Sequence, residues 1–513
     1  MRDAALLPLT ITAADLLAFH RCQRIPYLNR HGSPDDKQDP SAYVGQLRQE
    51  RQHHQQHIQV QYPGIEVDPD HPEGRSTPEL MQQRIQRIYK AHLEVPLPGL
   101  EVPATLGSVQ LRSQPDGLVW QGSDREGHYT PVEIRASKRI KPDYELALAF
   151  HAFALGQVQG FTPTTGWLVL QDGAWQTVRL RRWLNRIPAL IESLGAVVAA
   201  TEMPDVFMAR SRCSLCPWQG FCHDHSAQAD PLRLLPGVTR TRHPILVSAG
   251  ISSIGDLAQA SVDQLSPLSG LGPKAAVQLV RQAQSTHSQK PVWIRPLEGL
   301  EGFDPWPQPV ELCFDIEADP HHGVAYLLGV LLIRKGQVIE YHRLMAADPA
   351  QEQQVWESFL TLSEQYPQAP VYHFHAFEVQ TCRKLALKHG TSPRRLHRLL
   401  KRFVDLHQVV THGVVLPIES YSLKNIARWL GFEWRLSDSG GAQSIFWYAQ
   451  WLETQDPNFL EWLATYNEDD CRATYRLKQW LAEATPPLAL SADLTELIEP
   501  DRGWNLNRGK PSR

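Results

Sequence analysis

Strand-like and helical patterns of apolar residues follow one another along the C-terminal part of the chain and predict an α/β domain there. Three consecutive runs, ELCFDIEA, YLLGVLLI and VIEYHRL, are separated by the turn signals HHG and RKGQ, which predicts a β-meander that starts at Glu311. Helical periodicity follows, and SLKNIARWLGF is predicted to form a helix with Ser422 as its N-cap and Gly431 at its end. A meander followed by alternating strands and helices is typical of an α/β domain, here residues 311–485.

The segments around this domain carry different patterns and predict further domains. Residues 1–230 mix helical stretches with short alternating runs, whereas residues 231–290 contain short helical pieces separated by glycine-containing turns. Prolines and glycines are frequent in residues 291–310, which are predicted to form a linker, and residues 486–513 are predicted to form a tail. The chain is therefore predicted to be an α/β multidomain protein with a small all-α module in its middle.

Composition narrows the classes of protein to which the chain can belong. Its 513 residues are 42% hydrophobic and include 15 Trp, a content that excludes a disordered chain. The net charge is −4 and neither half of the chain is a basic arm, so any nucleic acid must be held by local patches. The longest apolar stretch, residues 324–333, is half the roughly 20 residues of a membrane-spanning helix. No membrane partner is expected, and the lack of a signal-peptide pattern predicts a cytoplasmic protein with reduced thiols.

The first predicted strand of the C-terminal domain carries two acidic residues. Period-two alternation puts Cys313, Asp315 and Glu317 on one face of this strand, and Phe314 and Ile316 on the other. Two carboxylates on one face repel each other unless a cation lies between them. By itself the Asp-x-Glu pattern is also typical of an ordinary solvated strand end, so a metal site requires a further acidic element.

A third carboxylate falls within the apolar stripe of the last predicted helix. The segment FLEWLATYNEDDCRATYRLKQWL has apolar residues at helical spacing, and this stripe includes Asp470 with Tyr466 one turn before it. A carboxylate on a buried face needs either a hydrogen-bonding partner, such as a neighbouring helix end, or a metal ion. With Asp315 and Glu317, Asp470 would supply the hard oxygen ligands of Mg²⁺ or Mn²⁺, and Tyr466 would orient the attacking water. Asp405, at another strand-like position, either supports such ligands or is purely structural.

These residues resemble the acidic motifs of the ribonuclease-H-like exonuclease superfamily with DEDD motifs, in the version that has Tyr-x-x-x-Asp. The resemblance extends over residues 311–482, includes SYSLKNIARWLGF, GGAQSIFWYAQWL and YNEDDC, and points more specifically to the YprB-type domain. It implies a 3′→5′ exonuclease-like reaction by a two-metal-ion mechanism, with Asp315, Glu317, Glu378 and Asp470 as metal ligands. Glu378 stands where the family has Asp, which keeps the charge but lengthens the side chain by one methylene.

Four of the seven cysteines indicate a metal site rather than a set of disulfides. Three lie in a C-x₂-C-x₅-C pattern and one stands near the start of the chain: Cys213, Cys216, Cys222 and Cys22. Three thiolates at this spacing can bind one metal centre whose fourth ligand comes from elsewhere in the chain. Thiolate chemistry permits either an iron–sulfur cluster or structural Zn²⁺, for which a histidine would be the substitute ligand: His20, His223 or His225.

One early and three late cysteines resemble the iron–sulfur staple of RecB/AddB-type and CRISPR-associated PD-(D/E)XK nucleases. The resemblance implies a [4Fe–4S] cluster on these four cysteines and a PD-(D/E)XK restriction-endonuclease-like domain over residues 1–230. It also implies an acidic site in which Asp116 lies at a turn before a strand, while Glu133 and Arg135 share one face of the next strand. The family has Lys at the position of Arg135, and Lys138 is a nearby candidate to replace it.

Other positions of this N-terminal segment depart from the family. Ala147 and His151 stand where the family has Gln and Tyr, and the upstream histidine of the family corresponds to either His53 or His54. The segment is therefore either a working nuclease or a retained nucleic-acid-binding fold with slow or absent cleavage.

The sequence LSGLGPKAA in the middle segment resembles the hairpin of a helix-hairpin-helix module. Gly270 and Gly272 allow the backbone to approach phosphate, Lys274 adds a positive charge, and the following helix begins with unpaired N–H groups. Such contacts read the nucleic-acid backbone and not its sequence. A tight αα turn between domains, with Gly at its C-cap, remains the alternative.

The order of these three segments resembles a family of RecB-like nucleases with a C-terminal ribonuclease-H-like domain. The preferred hypothesis is a metal-dependent nuclease that acts on nucleic acid, with DNA favoured over RNA, through its C-terminal site. The alternative is a nucleic-acid-binding scaffold whose two nuclease folds are degenerate. An iron–sulfur redox protein would have no use for Tyr466 and Asp470 opposite an Asp-x-Glu strand.

Overall fold

The fold was examined in a computed structural model, which describes residues 9–67, 76–98, 103, 108–123, 126–208, 210–213, 215–319, 322–436 and 440–484. The predicted tail, residues 486–513, lies outside the described residues. Contacts within the chain divide it into two units, residues 1–224 and 225–513. In the described ranges, no helix combines the length and the apolar character that crossing a membrane requires.

The strands of the N-terminal unit form two mixed sheets. In chain order they are β1 (Leu9–Thr12), β2 (Ile65–Glu66), β3 (Arg87–Tyr89), β4 (Leu93–Leu97), β5 (Val109–Ser113), β6 (Gly117–Gly122), β7 (Gly127–Ile134), β8 (Thr165–Val169) and β9 (Trp175–Arg179). The larger sheet has the order β2-β3-β6-β7-β8-β9, and the smaller has the order β1-β5-β4. The hairpin of β6 and β7 lies in the middle of the larger sheet, so the residues at its open end are held by strands on both sides.

The helices of this unit pack around the sheets. They are α1 (Ala13–Arg21), α2 (Arg24–His31), α3 (Ala42–Gln61), α4 (Thr77–Gln82), α5 (Pro142–Gln159), α6 (Arg181–Leu184), α7 (Ile187–Ala199), α8 (Arg210–Cys213) and, reaching into the second unit, α9 (Gln219–Ala229). The middle of α5 is largely buried and, apart from His151, apolar on all sides, as expected for a helix at the centre of a core.

The second unit begins with a small helical module. Its helices are α10 (Arg242–Ser248), α11 (Ile254–Gln259), α12 (Val262–Leu265) and α13 (Pro273–Ser288). Two tight turns join the pairs α10–α11 and α12–α13, and each turn contains a glycine with positive φ, Gly250 (82°) and Gly270 (73°). The buried side of α13 carries apolar residues at helical spacing, including Ala276, Leu279 and Ala283. The predicted all-α module is therefore confirmed as a helical element with two hairpins.

The rest of the second unit is an α/β domain built on a five-stranded sheet. Its strands are β10 (Val292–Trp293), β11 (Val310–Asp319), β12 (Val324–Arg334), β13 (Gln337–Met345), β14 (Val371–His373), β15 (Phe403–Asp405) and β16 (Val414–Val415). The main sheet has the order β13-β12-β11-β14-β15, with the first three strands antiparallel and the last two parallel to β11. The three runs that predicted a meander are β11, β12 and β13, so this prediction is confirmed.

Helices cover the sheet. They are α14 (Glu352–Gln365), α15 (Phe377–Lys388), α16 (Pro393–Leu400), α17 (Leu406–Gly413), α18 (Leu423–Trp429), α19 (Gly441–Thr454) and α20 (Pro457–Glu483). As predicted, Ser422 caps α18 by accepting from the Asn425 N–H. The long helix α20 lies against β11 and β12, and a buried ion pair of 2.5 Å between Lys478 and Glu311 joins α20 to β11.

Residues 291–310, predicted as a linker, contribute to the α/β domain. The short strand β10 pairs with β16, and the side chains of Leu297 and Phe303 are fully buried in the core on one side of the main sheet. Apolar residues interspersed among the prolines and glycines explain this difference, because each can be buried without regular secondary structure.

Candidate active site and its surroundings

Three carboxylates from distant segments of the chain meet in the C-terminal α/β domain. Asp315 and Glu317 lie on β11, and Asp470 lies on the stretch of α20 that packs against this strand. One oxygen from each of the three residues lies within 4.8 Å of the others. The register between β11 and β12 shifts directly after Glu317, and such bulges are common next to active sites because they re-aim a side chain.

The negative charges of these carboxylates are crowded and shielded from water. Burial, together with the charges of Asp470 and Glu317, raises the pKa of Asp315 well above its usual range. Burial and the charge of Asp470 raise the pKa of Glu317 to about 8, and burial raises the pKa of Asp470 to about 6. Hard oxygen donors that repel one another form a set that a divalent cation such as Mg²⁺ or Mn²⁺ would stabilise. These residues therefore fit a divalent metal.

An amide fixes the orientation of Asp315. The side-chain N–H of Asn467 donates to Asp315 Oδ2 at 2.7 Å, and Asn467 Oδ1 accepts from the Tyr341 hydroxyl at 2.8 Å. Gly329, which faces Asp315 across the β11–β12 ladder, leaves room for this amide, because a Cβ at Gly329 would lie 1.6 Å from Asn467 Oδ1. Glycine at this position therefore allows α20 to approach the sheet closely enough to hold Asp315.

The other two carboxylates also have protein donors. The Ser444 hydroxyl donates to Glu317 Oε2, and it lies 2.9 Å from the Tyr326 hydroxyl. The indole N–H of Trp434 donates to Asp470 Oδ1 at 2.7 Å. Each acidic side chain is thus held in one orientation by a neutral hydrogen-bond donor, which is the arrangement expected around metal ligands.

A tyrosine and a lysine complete the cluster. The hydroxyl of Tyr466 hydrogen-bonds with Asp470, and burial together with the charge of Asp470 raises the pKa of Tyr466 well above its usual range. The ammonium of Lys424, on α18, lies 5.4 Å from the ring centre of Tyr466 and 5.6 Å from that of Trp434. Lys424 also interacts electrostatically with Asp470 and Glu317, so it brings a positive charge to the edge of the acidic group.

The fourth predicted ligand, Glu378, lies beside this group but outside its 4.8 Å spacing. Its side chain is buried near the start of α15, and its charge interacts with those of Asp315 and Glu317. His373 Nδ1 lies 3.4 Å from Glu378 Oε2, and this oxygen has no hydrogen-bond partner among the described residues. A buried carboxylate oxygen of this kind is a suitable donor for a cation, so Glu378 also fits a metal-binding role.

Asp405 has a structural role in the turns next to the sheet. Its carboxylate caps α17 by accepting from the His407 N–H at 3.0 Å, and it accepts from the His375 N–H at 2.9 Å. The second contact stabilises His375 at a φ of 80°, a conformation that residues other than glycine rarely adopt. Of the two interpretations of Asp405, these contacts favour the structural one.

The predicted acidic residues of the N-terminal unit also lie close together, but they lie beside positively charged side chains. Asp116 directly precedes β6, while Glu133 and Arg135 lie at the end of β7. The Arg135 guanidinium pairs with Glu133 and lies 3.4 Å from Asp116, and Arg51 of α3 donates to both oxygens of Asp116 at 2.7 and 3.0 Å. Although burial alone would raise it, Arg135 and His151 lower the pKa of Glu133 to about 2. This site therefore neutralises its carboxylates with its own side chains.

The remaining N-terminal candidates are dispersed. His54 contacts the backbone carbonyl of Leu170 at 2.9 Å, and His53 is exposed, whereas Gln55 reaches Asp116 at 2.7 Å. Lys138 is exposed in the loop after β7. Neither histidine contacts Asp116. Arg51 and Gln55 contact it instead, because they lie one turn apart on the side of α3 that faces Asp116.

The four cysteines of the N-terminal unit line one cavity. Cys22 follows α1, Cys213 ends α8, Cys216 lies between α8 and α9, and Cys222 lies in α9. All four are free thiols, and burial raises the pKa of Cys216 and Cys222. Among the described residues, no three of the four sulfur atoms lie within 4.8 Å of one another. Of the histidines considered as substitute ligands, His20 packs edge-on against Trp183 and His223 contacts Asp224.

The helical module presents the predicted hairpin at its surface. Gly270 has a φ of 73°, and Gly272 is the N-cap residue of α13, where no side chain caps the helix. Lys274 is exposed in the first turn of α13. The guanidinium of Arg242 stabilises the hairpin by donating a hydrogen bond of 3.3 Å to the carbonyl of Gly270. The first hairpin, with Gly250 in its turn, lies where glycine-containing turns were predicted, but it was not identified as a second hairpin of the module.

Several residues of the acidic site were not identified by motif reasoning. Lys424 and Ser444 lie in the segments SYSLKNIARWLGF and GGAQSIFWYAQWL, Asn467 lies in YNEDDC, and Trp434 follows α18. Polar residues embedded in the segments that carried the family resemblance were the available signal for three of them. Trp434 offered no such signal, because an exposed loop tryptophan and a carboxylate-binding tryptophan have the same local pattern.

Comparison with known families is consistent with this description. Residues 312–482 match the RNase_H superfamily, and residues 230–285 match the SAM-like helix-hairpin-helix tandem. No curated protein matches the sequence at a significant level. The predicted ribonuclease-H-like domain and helix-hairpin-helix module are thereby confirmed. An RNase H-like domain with a carboxylate cluster supports a nucleic-acid hydrolase that uses divalent metals, and the helix-hairpin-helix tandem supports binding to nucleic acid.

Proposed function

We propose that the protein is a divalent-metal-dependent nuclease that hydrolyses phosphodiester bonds in its C-terminal α/β domain. The observation that carries the proposal is the group of three carboxylates, Asp315, Glu317 and Asp470, whose oxygens lie within 4.8 Å of one another. Buried like charges at this spacing are stable together only if protons or a cation neutralise them. The match of this domain to the RNase_H superfamily supports a cation, since hydrolysis in such folds depends on metal-bound carboxylates.

The acidic residues would hold the metal ions in a two-metal-ion mechanism. Asp315, Glu317 and Asp470 would bind one Mg²⁺ or Mn²⁺, and Glu378 would complete the ligand set of a second. The bound cations would stabilise charge on the phosphate oxygens and lower the pKa of the attacking water. Asn467 keeps Asp315 oriented before metal binds, so little side-chain freedom remains to be lost on binding.

Tyr466 and Lys424 would act on the reacting groups. Because its pKa is raised, Tyr466 keeps its proton at neutral pH, and its hydroxyl would orient the nucleophilic water as a hydrogen-bonding group rather than as a base. Lys424 would contact the non-bridging oxygens of the scissile phosphate, because its ammonium is held beside the acidic group by the rings of Tyr466 and Trp434.

The helix-hairpin-helix tandem would guide the strand. Backbone N–H groups at the start of α13 and the exposed Lys274 suit a phosphate backbone of any sequence. We propose DNA rather than RNA as the substrate, and attack from the 3′ end. Both choices follow from the exonucleases that the C-terminal domain resembles and from the tandem beside it.

The cysteine cavity would hold a [4Fe–4S] cluster in a reducing compartment such as the cytoplasm. Four cysteines that line one cavity suit either a [4Fe–4S] cluster or Zn²⁺, and the cluster is proposed because their spacing resembles that of iron–sulfur nucleases. Anaerobically purified protein should be brown and contain about four iron atoms per chain. Cys22→Ala should bleach it, and stoichiometric zinc without iron would instead favour the zinc alternative.

The test of the proposed function is cleavage of end-labelled single- and double-stranded DNA and RNA with Mg²⁺, with Mn²⁺ and with EDTA. Asp470→Asn should abolish cleavage. Asp469→Asn is the matched control, because Asp469 is the adjacent buried carboxylate of α20 but pairs with Arg435. If cleavage is absent under every condition, the alternative of a nucleic-acid-binding scaffold is favoured. If Asp469→Asn and Asp470→Asn lose activity equally, the assignment of Asp470 as a specific ligand fails.

A further inference from the structure

The acidic pair of the N-terminal unit does not fit a divalent cation, because its oxygens already have partners. Asp116 Oδ1 accepts from Arg51 and Gln55, both at 2.7 Å. Asp116 Oδ2 accepts from the backbone N–H of Ile134 at 2.7 Å and lies 3.4 Å from Arg135. A metal ion could bind Asp116 only by displacing several of these donors.

Glu133 is equally engaged. One of its oxygens pairs with the Arg135 guanidinium and lies 3.7 Å from Arg51, and the other lies 3.1 Å from His151 Nε2. His151 in turn is fixed through Nδ1, which lies 2.8 Å from the Ser113 hydroxyl. Two guanidinium groups therefore balance two carboxylates, so this pocket has no excess negative charge to attract a Mg²⁺ ion.

Positive charge continues from this pocket to the surface. The side chain of Arg51 is 40% exposed, although its guanidinium contacts Asp116, which is only 10% exposed. The loop after β7 adds three cationic side chains, Lys138, Arg139 and Lys141, and all of them are exposed. The buried carboxylate of Asp116 thus fixes the orientation of Arg51, and the loop after β7 adds exposed positive charges.

We propose that this pocket binds a backbone phosphate of a nucleic-acid strand without a metal ion. Asp116 engages Nη2 of Arg51, which leaves Nη1 of the same guanidinium to donate to a phosphate oxygen, and Lys138 and Arg139 contact the neighbouring phosphates. The pocket therefore holds a strand and does not cleave it. This inference is independent of the proposed function, because none of these residues lies in the C-terminal α/β domain.

The first test measures the affinity of the full chain for a short fluorescein-labelled single strand in EDTA, by fluorescence anisotropy. Arg51→Gln, and separately Lys138→Ala with Arg139→Ala, should weaken binding by about 5- to 10-fold and reduce the salt dependence by about one ion per lost contact. Arg182→Gln, which changes an exposed arginine on α6, is the matched control and should bind like wild type. The loop variant alters only exposed side chains, so it remains informative even if Arg51→Gln is unstable.

The second test counts bound Mn²⁺ by electron paramagnetic resonance. Asp116→Asn combined with Glu133→Gln should bind as many Mn²⁺ ions per chain as wild type, because the proposed pocket contains none. The proposal is overturned if this double variant binds fewer ions, or if both basic variants bind the strand like wild type in EDTA. Loss of cleavage has no part in either readout, so failure of the proposed function would not be mistaken for failure of this inference.

Discussion

The two acidic sites of this protein both place carboxylates on or beside a sheet strand, but these carboxylates meet neighbours of opposite charge. In the C-terminal domain, Asp315 and Glu317 on β11 meet a third carboxylate, Asp470, within 4.8 Å. In the N-terminal unit, Glu133 on β7 and Asp116 meet arginines instead, with Arg51 donating to Asp116 at 2.7 Å. Both sites are buried, so each must balance its charge within a few ångströms.

The difference shows that an acidic residue on a strand does not by itself decide what such a site binds. Its neighbours decide: Asp470 of α20 in the C-terminal site, and in the N-terminal site Arg135, which follows β7, together with Arg51 of α3 and His151 of α5. A further carboxylate leaves negative charge that a bound cation would stabilise. A guanidinium group compensates that negative charge, so no cation is needed. The first arrangement suits metal-dependent hydrolysis, and the second suits metal-free binding of phosphate.

The largest predicted effect separates the two sites in one assay. Asp315→Asn should lower kcat on the order of 10³-fold, because a metal ligand worth several kcal/mol of transition-state stabilisation is lost. Glu133→Gln should instead act mainly on KM, through weaker strand binding. Steady-state cleavage rates of both variants check this, and the comparison breaks down if Glu133→Gln is the variant with the lower kcat.

A smaller effect is predicted for the tyrosine of the C-terminal site. Tyr466→Phe keeps the ring in the core and removes only the hydroxyl that bonds with Asp470. Cleavage should slow by about 10²-fold while the affinity for Mn²⁺ stays nearly unchanged, because the hydroxyl positions water and is not a ligand. Single-turnover rates together with Mn²⁺ titration provide the measurement. A parallel loss of metal affinity would mean that Tyr466 only supports the ligand Asp470.

The smallest predicted effect is a pH dependence of opposite sign for two glutamates, Glu317 and Glu133, whereas burial and the charge of Glu133 raise the pKa of Asp116 to about 6. Glu317 has its pKa raised from 4.5 to about 8, so its contribution to metal-free stability is present below pH 4.5 and is lost as pH rises toward 8. Glu133 has its pKa lowered from 4.5 to about 2, so its contribution is present above pH 4.5 and is lost as pH falls toward 2.

Thermal unfolding in EDTA between pH 5 and 8 measures the first of these effects. Relative to Glu317→Gln, wild type should lose stability as pH rises, by roughly 1.4 kcal/mol for each unit by which the pKa is raised. Added Mn²⁺ should remove this loss, since the cation replaces the proton. A difference between wild type and Glu317→Gln that does not change with pH would contradict the crowded, buried site described for Glu317.

The sequence predicted those parts of the acidic site that obey simple periodicity. Alternation along β11 was sufficient to put Asp315 and Glu317 on one face, and the apolar stripe of α20 was sufficient to put Asp470 inward. Contacts that depend on how α20 packs against the sheet were not predictable from periodicity. Asn467 contacts Asp315 only because Gly329 lacks a side chain. Asn467 is separated from both residues by more than a hundred positions in the sequence.

The N-terminal unit also contains contacts that could not be predicted from sequence periodicity. The sequence placed Glu133 and Arg135 on one face, and it indicated from His151 and Arg135 that this site departs from the nucleases that it resembles. It did not identify Arg51, because an arginine on a polar, glutamine-rich helix has the pattern of a solvated side chain. The register of α3 against β7, and not a local motif, directs Arg51 to Asp116.

The most direct test of the account is the number of Mn²⁺ ions that each acidic site binds. Electron paramagnetic resonance of the full chain should show tight Mn²⁺ binding that is lost in Asp315→Asn and in Asp470→Asn and is fully retained in Asp116→Asn. Tight Mn²⁺ binding that survives Asp315→Asn and Asp470→Asn but is lost in Asp116→Asn would contradict the account, because the metal would then belong to the N-terminal unit.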